Sequence, residues 1–313
     1  MDAARFDRRI AAIVPVARVE RHAPLALLTT FRVGGPADWL ITVESLEELL
    51  GLLGAAAASE VPISWLGGGS NVVVSDDGVR GAVVRARLMA ISRPAADRVR
   101  AEAGVTVNGL VRWTVGRGLA GLEAWAGTPG TVGGAVCGNA HWEGRNIGEL
   151  VAGVGLATPD GRVLGVPPGE MGFAYDTSRL RRTREVLIWA DFRVRPADPD
   201  ALRRTARASL AYRKRTQPLA RPSAGCVFQN PDPAREAVPP GVPPSAGALI
   251  DRAGLKGYRI GGASISETHA NFVVNDGTAT ARDVRRLVET ARAAVRERFG
   301  VELRDEVVFL GAF

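Results

Sequence analysis

Two glycine-rich segments are the parts of this chain whose residue types could act on a ligand directly. The first, Gly67-Gly68-Gly69-Ser70-Asn71, lies between two short apolar segments with the pattern of β-strands. A turn of this kind exposes successive backbone N–H groups and a hydroxyl, which suits a pyrophosphate. No GK[ST] sequence follows, and a strand rather than a helix comes next, so neither the P-loop nor the dinucleotide fingerprint is present. The turn alone is equally compatible with an ordinary glycine hairpin.

The second glycine-rich segment is AGTPGTVGGAVCGNA at residues 126–140. Small residues allow a backbone to come close to a flat cofactor ring, and this segment offers a second surface of amide groups. Two such surfaces predict one large, phosphate-bearing ligand. The residues expected to contact it are Leu66, Gly67, Gly68, Gly69, Ser70, Asn71, Gly127, Thr128, Pro129, Gly130, Gly133 and Gly134.

The sequence gives no indication of a metal site or a disulfide framework. Its two cysteines are Cys137 and Cys226, and its three histidines are His22, His141 and His269. They have neither CxxC nor HExxH spacing, so we expect no bound metal and no dependence on disulfides.

The charge and length place the chain among globular proteins with room for two domains. It has 313 residues, with 40 lysines and arginines against 33 acidic residues, a net charge of +7. The excess is nearly all arginine and is spread along the chain, which permits anionic ligands. No helix-turn-helix, zinc finger or RNA-binding aromatic pattern is present, so we expect no nucleic-acid partner. The charged N-terminus and short apolar runs predict a cytoplasmic protein without membrane contact.

Mixed helices and strands are expected to position the two glycine-rich segments. After a helical N-terminal segment, Ser45 and Glu48 predict a capped helix that runs to about residue 58. Strands are predicted at residues 61–66, 72–75, 82–84, 98–102, 151–157 and 186–193, with a helix at residues 107–115.

Residues 196–200 are the predicted boundary with a second, smaller domain. This domain begins with a basic helix at residues 201–215 and contains a proline-rich loop at residues 231–244. A helix begins at Ser245, and a last helix extends from a cap at Thr280 to Gly300. A closing strand is predicted at residues 306–310.

At this point the sequence resembles a known family, the UDP-N-acetylenolpyruvoylglucosamine reductases. The resemblance lies in TTFRVGGPA at residues 29–37, LGGGSNVVVSDDGVRG at 66–81, the block at 126–140, QPLARPSAGCVFQNP at 217–231, SAGALIDRAGLKGYRIGGASISETHANFVVN at 245–275 and LRDEVVFLG at 303–311. The blocks have the family's order and spacing along essentially the whole chain. The chain looks like the type without a substrate-lid insertion.

The resemblance implies an α+β fold and a flavin-dependent activity. It implies a two-lobed FAD-binding domain of the vanillyl-alcohol-oxidase-like (PCMH-type) class at residues 1–198, with lobes at about 25–92 and 93–198. A smaller α+β substrate domain would occupy residues 199–313. Members of this family bind FAD, reduce it with NADPH and reduce UDP-N-acetylglucosamine enolpyruvate to UDP-N-acetylmuramate for peptidoglycan synthesis. We expect non-covalent FAD and a monomer.

The reaction needs a proton donor and a group that stabilises negative charge, because hydride addition to the enol ether pushes charge toward the carboxylate. Cys226 matches the position where family members have a serine or cysteine that protonates the substrate. A small buried cysteine is the structural alternative. Glu306 matches the family glutamate beside the substrate carboxylate and is favoured by motif register over Glu302.

The chain departs from the family at one position. The family has a tyrosine-arginine-x-serine motif whose arginine binds the substrate carboxylate, and this chain reads Tyr175-Asp176-Thr177-Ser178. A carboxylate at Asp176 would repel the substrate. Arg179, Arg181 and Arg182 follow closely, and Arg179 is our expected replacement.

The remaining positions that match the family's substrate-binding blocks are Tyr175, Arg213, Asn230, Lys256, Ser266 and His269. Arginine and lysine side chains there could bind a diphosphate, although each is equally compatible with a solvated surface charge. His269 is equally compatible with a structural imidazole. Two alternatives stay open for the whole chain. It could be a flavin oxidase of another substrate, or a flavin-binding relative that has lost catalysis through the change at Asp176.

Overall fold

The structure is a computed structural model that describes residues 1–232, 234, 236 and 238–313. The predicted proline-rich loop contains the three positions that lie outside the described residues. The α-helices are α1 (Ala3–Ile10), α2 (Leu46–Ser59), α3 (Val107–Val115), α4 (Val132–Cys137), α5 (Pro199–Thr216), α6 (Ala246–Arg252) and α7 (Ala281–Phe299).

Short and medium strands alternate with these helices. They are β1 (Val19–Pro24), β2 (Pro36–Val43), β3 (Ile63–Trp65), β4 (Val72–Val74), β5 (Val79–Ala86), β6 (Ile91–Ala95), β7 (Arg98–Glu102), β8 (Leu119–Ala120), β9 (His141–Trp142), β10 (Arg145–Asn146), β11 (Val151–Ala157), β12 (Val163–Val166), β13 (Val186–Arg193), β14 (Arg195–Pro196), β15 (Arg259–Ile260), β16 (Ala263–Ile265), β17 (Val273–Asn275) and β18 (Val308–Leu310).

The described chain forms two compact units, each assembled from separate stretches of sequence. Unit 1 contains Met1–His22, Asp38–Gly68 and Gly81–Ala211, and unit 2 contains Ala23–Ala37, Gly69–Arg80 and Tyr212–Phe313. The last division falls inside α5, whereas the predicted boundary lies just before that helix. The first glycine turn is also divided, between Gly68 and Gly69.

The larger sheet of unit 1 has five strands in the order β12-β11-β13-β7-β6, with antiparallel neighbours. Strand β11 pairs Val154 with Val166 on one side and Ala190 on the other. Its core contains the fully buried Phe192 and residues of α3 and α4. The sheet therefore supports α3, which precedes the second glycine-rich segment, and α4, which lies inside that segment.

A second core in unit 1 forms where α1 and α2 pack together. Phe6 of α1 meets Trp39 of β2 edge to face, with ring centroids 5.1 Å apart. The Trp39 indole N–H donates to Asp7 at 2.7 Å, which satisfies its polar atom. Strand β3 pairs in parallel with β5 and ends at Trp65, so the first glycine turn begins two residues later.

Unit 2 has a three-stranded antiparallel sheet, β15-β16-β17, with α7 beside it. Helix α7 buries the apolar stripe that its sequence predicts, which contains Val284, Leu287, Val288, Ala291 and Val295. Its ends are also those predicted. Thr280 and Asp283 form a reciprocal capping box, and Gly300 ends the helix with φ of +69°.

Strands β4 and β18 pair in parallel, which joins the closing strand to the chain that follows the first glycine turn. The closing strand is shorter than predicted and begins at Val308. Among the described residues, no helix is both long enough and apolar enough to span a bilayer.

One helix was missed by the sequence analysis. Helix α4 lies inside the second glycine-rich segment, where glycine content argues against a helix. Its N-terminus is capped by Thr131, whose hydroxyl accepts the Gly134 N–H at 3.3 Å. Burial of Val132, Ala135 and Val136 in the unit 1 core compensates for the low helix propensity.

We predict that Glu48→Gln removes an acid-sensitive contribution to folding. Glu48 accepts two hydrogen bonds from Arg18, at 2.5 and 2.8 Å, and the Arg18 side chain holds the Glu48 pKa below its ordinary value of 4.5. Because the Glu48 pKa is lower in the folded than in the unfolded protein, the ionised carboxylate stabilises the fold at pH values above the ordinary pKa. This contribution is lost as the pH falls through the folded-state pKa. Glu48→Gln should cost about 1 kcal/mol near pH 7 and progressively less below pH 4.5.

Urea unfolding of wild type and variant between pH 3 and pH 7 measures this difference. Glu47→Gln is the matched control, because Glu47 is in the same helical turn and its side chain has no ion-pair partner in the described chain. A constant difference between wild type and Glu48→Gln at every pH would contradict the assignment.

Candidate functional site

The two glycine-rich segments are in contact within unit 1. A Cβ atom on Gly67 would lie 2.6 Å from the Thr131 hydroxyl oxygen, and one on Gly68 would lie 2.7 Å from the Gly130 Cα. Ordinary contacts between carbon atoms are about 3.5–4.0 Å long. The close approach of these two segments therefore requires glycine at both positions.

This contact surrounds backbone amides that have no intramolecular acceptor. The N–H groups of Gly67, Gly68 and Gly130 donate to no acceptor in residues 1–232, 234, 236 and 238–313. Gly67 and Gly68 are solvent-exposed. Unpaired amides around an uncrowded backbone suit the oxygens of a diphosphate, so these residues fit a dinucleotide cofactor.

Two polar side chains that the sequence analysis missed position the second segment. Asn108 of α3 accepts the Gly127 N–H at 2.7 Å and donates to the Thr128 carbonyl at 3.1 Å. Thr131 caps α4 and contacts Gly67. A threonine before an apolar run is a recognisable capping signal, whereas nothing local marks Asn108.

The rest of the first turn belongs to unit 2. Gly69 has φ of +61°, and a Cβ there would collide with the Leu28 carbonyl. Asn71 donates through its side chain to the Glu306 carbonyl at 3.1 Å, and its own carbonyl accepts the Val308 N–H at 3.0 Å. The end of this turn is therefore bonded to the chain segment that contains Glu306.

Unit 2 brings the two predicted catalytic residues onto neighbouring chain segments. Cys226 forms an antiparallel bridge with Phe272, and the next residue, Val227, accepts the Glu306 N–H at 2.8 Å. Cys226 and Glu306 are both partly exposed. They are 80 positions apart in the sequence, so only the tertiary fold brings them together.

Asn271 holds the Cys226 segment through three hydrogen bonds. Its carbonyl accepts the Val227 N–H at 2.8 Å, and its side chain accepts the Phe228 N–H at 3.0 Å and donates to the Phe228 carbonyl at 2.7 Å. The side chain is 3% exposed. Because a buried amide with all these bonds is costly to disturb, Asn271 fixes the backbone on which Cys226 lies.

His269 is a neutral imidazole in this setting. Burial lowers its pKa, and the nearby positive charge of Lys256 lowers the pKa further. Its Nδ1 atom accepts the Asn271 N–H at 3.3 Å, and its ring meets Phe272 at 4.9 Å. The Ser266 hydroxyl accepts the N–H groups of Thr268 and His269, at 3.2 and 3.4 Å.

The other predicted substrate-binding residues of unit 2 are in three different settings. Lys256 forms an ion pair with Asp251 at 2.7 Å. The Asn230 side chain accepts the Ala246 N–H at 3.1 Å, at the start of α6. Arg213 is 5% exposed, and no other lysine or arginine of the described residues is buried to this degree.

The predicted substitute arginine is already engaged in unit 1. Arg179 donates two hydrogen bonds to Glu185, at 2.6 and 2.7 Å. Arg181 lies beside Asp176, with Nη2 3.4 Å from an Asp176 carboxylate oxygen. Asp176 is 6% exposed and has φ of +54°, and the neighbouring Tyr175 ring lies 4.9 Å from that of His141.

Cys137 lies at the end of α4, close to the same group of residues. Burial raises the pKa of the Cys137 thiol. The positive charge of Arg181 lowers this pKa and the negative charge of Asp176 raises it, and the net shift is upward. A thiol with a raised pKa stays protonated at neutral pH and is a poor nucleophile. Cys137 is therefore a poor candidate for a nucleophile.

Comparison with known proteins agrees with this geometry in both parts of the chain. Residues 37–166 match the profile of the FAD binding domain, and residues 217–310 match that of the C-terminal domain of UDP-N-acetylenolpyruvoylglucosamine reductase. The two matches cover the glycine-rich segments of unit 1 and the Cys226 and Glu306 segments of unit 2.

Relatives of known name extend the similarity to nearly the full length. The chain is 44% identical over 296 residues to UDP-N-acetylenolpyruvoylglucosamine reductase 2 of Symbiobacterium thermophilum, covering 94% of this chain and 92% of the relative. It is 43% identical over 315 residues to the reductase of an Anaeromyxobacter species, covering 99% and 92%.

A solved structure gives the same result. The crystal structure of UDP-N-acetylenolpyruvylglucosamine reductase from Thermus caldophilus superimposes with a TM-score of 0.78 at 36% identity, covering 94% of this chain and 99% of that one. The predicted α+β fold with a flavin domain and a C-terminal domain is confirmed. The chain therefore belongs to the UDP-N-acetylenolpyruvoylglucosamine reductase family.

Proposed function

We propose that this protein binds FAD, accepts hydride from NADPH and reduces UDP-N-acetylglucosamine enolpyruvate to UDP-N-acetylmuramate. The observation that carries the proposal is the position of Cys226 and Glu306 on adjoining segments of unit 2, joined at 2.8 Å through the Val227 carbonyl. Family membership supports the same reaction. The arrangement offers a proton donor and a carboxyl group, the two functions that the chemistry needs.

The cofactor would be held by the unpaired amides of Gly67, Gly68 and Gly130 in unit 1. Once reduced by NADPH, the bound flavin would supply the hydride that the substrate double bond receives. The chain's own contribution is a backbone surface without side chains and with donors fixed by Asn108 and Thr131. We propose non-covalent attachment.

Cys226 is proposed as the acid that protonates the substrate carbon next to the carboxylate. A thiol with an ordinary pKa of about 8.5 is largely protonated at neutral pH and releases its proton readily. Glu306 is proposed to stabilise the negative charge that develops at the carboxylate, by hydrogen bonding from its carboxyl group. The backbone bonds of Asn271 and Val227 keep the two side chains on rigid neighbouring segments.

A guanidinium from residues 179–182 is proposed to replace the family arginine that is missing at Asp176. Arg179 was the predicted candidate, and its paired hydrogen bonds to Glu185 now compete with that role. Arg181 lies beside Asp176, and its 3.4 Å contact with that carboxylate is longer than either hydrogen bond of Arg179 to Glu185. The position of Arg181 therefore favours it over Arg179.

The finer parts of the proposal rest on the resemblance. They are the substrate contacts of Tyr175, Arg213, Asn230, Lys256, Ser266 and His269, the assignment of residues 1–198 to the cofactor and 199–313 to the substrate, and action as a cytoplasmic monomer in peptidoglycan synthesis, cell shape and division. We propose that this activity involves no nucleic-acid or membrane partner.

Anaerobic stopped-flow absorbance of the purified protein tests the proposed reaction. NADPH should bleach the flavin absorbance, and addition of UDP-N-acetylglucosamine enolpyruvate should then restore it. Restoration by oxygen alone, with no response to the enolpyruvyl substrate, would identify an oxidase instead. Reduction without any reoxidation would identify a relative that has lost catalysis.

We predict that Cys226→Ala affects only the second half of this experiment. Flavin reduction by NADPH should keep its rate, whereas reoxidation by the substrate should slow by about 10²-fold or more, the usual contribution of a general acid. Cys226→Ser keeps a proton donor of similar size and should recover part of the rate. Equal reoxidation rates for wild type and Cys226→Ala would remove the thiol from the mechanism.

We predict that Gly68→Ala yields a protein that is folded but deficient in flavin. The added methyl would meet the Gly130 backbone at 2.7 Å and force the two glycine-rich segments apart. The ratio of flavin to protein absorbance after purification measures the loss. Gly54→Ala is the control, since its Cβ meets nothing within 4 Å and alanine favours the helix. Full flavin content in Gly68→Ala would contradict the assignment of this surface to the cofactor.

We predict that Arg181→Gln raises the KM for the enolpyruvyl substrate by about tenfold, since a lost charged hydrogen bond to a carboxylate has that effect. Flavin content and the rate of reduction by NADPH should not change. Arg179→Gln should instead lower the melting temperature through its Glu185 pair. Arg184→Gln, on the same exposed loop, is the control. A raised KM in Arg179→Gln alone would restore the original assignment.

A further inference from the structure

Unit 2 contains a cleft that the proposed reaction does not use. Its volume is about 330 Å³. Three chain segments form its walls, and the residues that line it are Arg32, Ala220, Arg221, Pro222, Asn275, Asp276 and Gly277. None of these residues is among those assigned to the cofactor, the acid or the substrate.

A single buried amide joins the three walls of the cleft. Asn275 is 2% exposed, and its backbone N–H donates to the Pro222 carbonyl at 2.9 Å. Its side chain donates to the Phe31 carbonyl at 3.0 Å and accepts the Gly277 N–H at 2.7 Å. Because these hydrogen bonds connect the three wall segments, the cleft is part of the folded framework and does not depend on a ligand for its shape.

The cleft has uncompensated positive charge. Arg32 and Arg221 are exposed, and neither guanidinium forms an ion pair or hydrogen bond with any part of the chain that the structure describes. The one acidic residue of the lining, Asp276, is ion-paired with Arg259. Other arginines of unit 2, such as Arg292 and Arg304, pair with acidic side chains. The described chain therefore leaves the positive charge of Arg32 and Arg221 on this lining without a neutralising partner.

The backbone at Arg32 adds a second observation. Its φ is +59°, a conformation that side-chain-bearing residues rarely adopt and that glycine would adopt freely. The turn is held by the Thr29 hydroxyl, which accepts the Arg32 N–H at 3.1 Å, and by burial of Phe31 and Val33 on either side. An unfavourable backbone that keeps a charged side chain beside a cleft points to a use for that side chain.

We propose that this cleft binds a phosphate group through Arg32 and Arg221. Arginine donates pairs of parallel N–H bonds that match phosphate oxygens, and two guanidinium groups match the charge of a phosphate dianion. The volume is at the lower end for small-molecule sites, which suits one phosphate-bearing part of a ligand.

The phosphate could come from three sources, which share this chemistry. Two of them, the 2′-phosphate of NADPH and the diphosphate of a UDP sugar, rest on the proposed function. Inorganic phosphate, the third, does not. Binding measured without turnover separates the cleft from the reaction, because it does not require the flavin to be reduced or the substrate to react.

Isothermal titration calorimetry of the flavin-loaded protein with inorganic phosphate, adenosine 2′-monophosphate and UDP tests the proposal. At least one probe should bind the wild type. Its affinity should fall about tenfold in Arg32→Gln and in Arg221→Gln, and about a hundredfold in the double variant, as expected for lost charged hydrogen bonds. Arg282→Gln removes the same charge from an exposed position of α7 outside the lining and should bind as the wild type does.

The probe that responds identifies the source. A change confined to adenosine 2′-monophosphate, with a raised KM for NADPH and an unchanged KM for NADH, assigns the cleft to the cosubstrate. A change confined to UDP assigns it to the substrate, and a change with inorganic phosphate alone assigns a separate anion site. The proposal is overturned if no probe binds the wild type, or if every probe binds the double variant as tightly. Equal melting temperatures exclude misfolding as the cause of a loss.

Discussion

The close approach of two backbone segments in unit 1 is the constraint on which the candidate cofactor site depends. Gly67 and Gly68 come so near to Thr131 and Gly130 that no Cβ fits between them. Side chains at these positions would also cover the amides that the two segments leave unpaired. The same geometric requirement therefore accounts for the glycines, for the exposed donors and for the fit to a phosphate-bearing cofactor. Asn108 and the capped helix α4 hold the second segment in place.

Asparagine side chains have a comparable role in unit 2. Short strands leave many backbone groups without ladder partners, and an asparagine amide can donate and accept at once. Asn271 satisfies both polar groups of Phe228, Asn275 joins the loops around the arginine-lined cleft, and Asn71 reaches the carbonyl of Glu306. These hydrogen bonds fix the backbone of irregular segments in the unit, including the segment that contains Cys226. A fixed backbone is what the proposed positions of the Cys226 and Glu306 side chains require.

Local pairing neutralises part of the strongly basic composition. Arg18, Arg100 and Arg179 each form short hydrogen-bonded pairs with a carboxylate. Arg181 lies beside the buried Asp176. The exposed side chains of Arg32 and Arg221 have no such partner in the described chain, and both line one cleft.

Much of the architecture could be predicted from the sequence because it depends on local periodicity and capping. Helices α3 and α7 and strands β7, β11 and β13 begin and end where their apolar patterns and caps place them. Side chains of α3, α7 and β7 are buried at the spacing of their elements, whereas β11 and β13 are apolar runs that are buried almost throughout. Both kinds of pattern are visible without a structure. Helix α4 was missed because its glycine content argues locally against a helix, and burial in a core formed by distant residues outweighs that preference.

The residue types of the candidate site were also determined by the sequence, through two glycine-rich segments and the blocks around Cys226 and Glu306. Their partners were not. That Arg179 pairs with Glu185, that Arg181 lies beside Asp176 and that Asn275 joins three loops are consequences of distances between chain segments. The sequence by itself thus determined the elements and the chemistry available. Only the tertiary structure decided which charges are neutralised and which donors stay open, because hydrogen bonds and ion pairs form between neighbours in space.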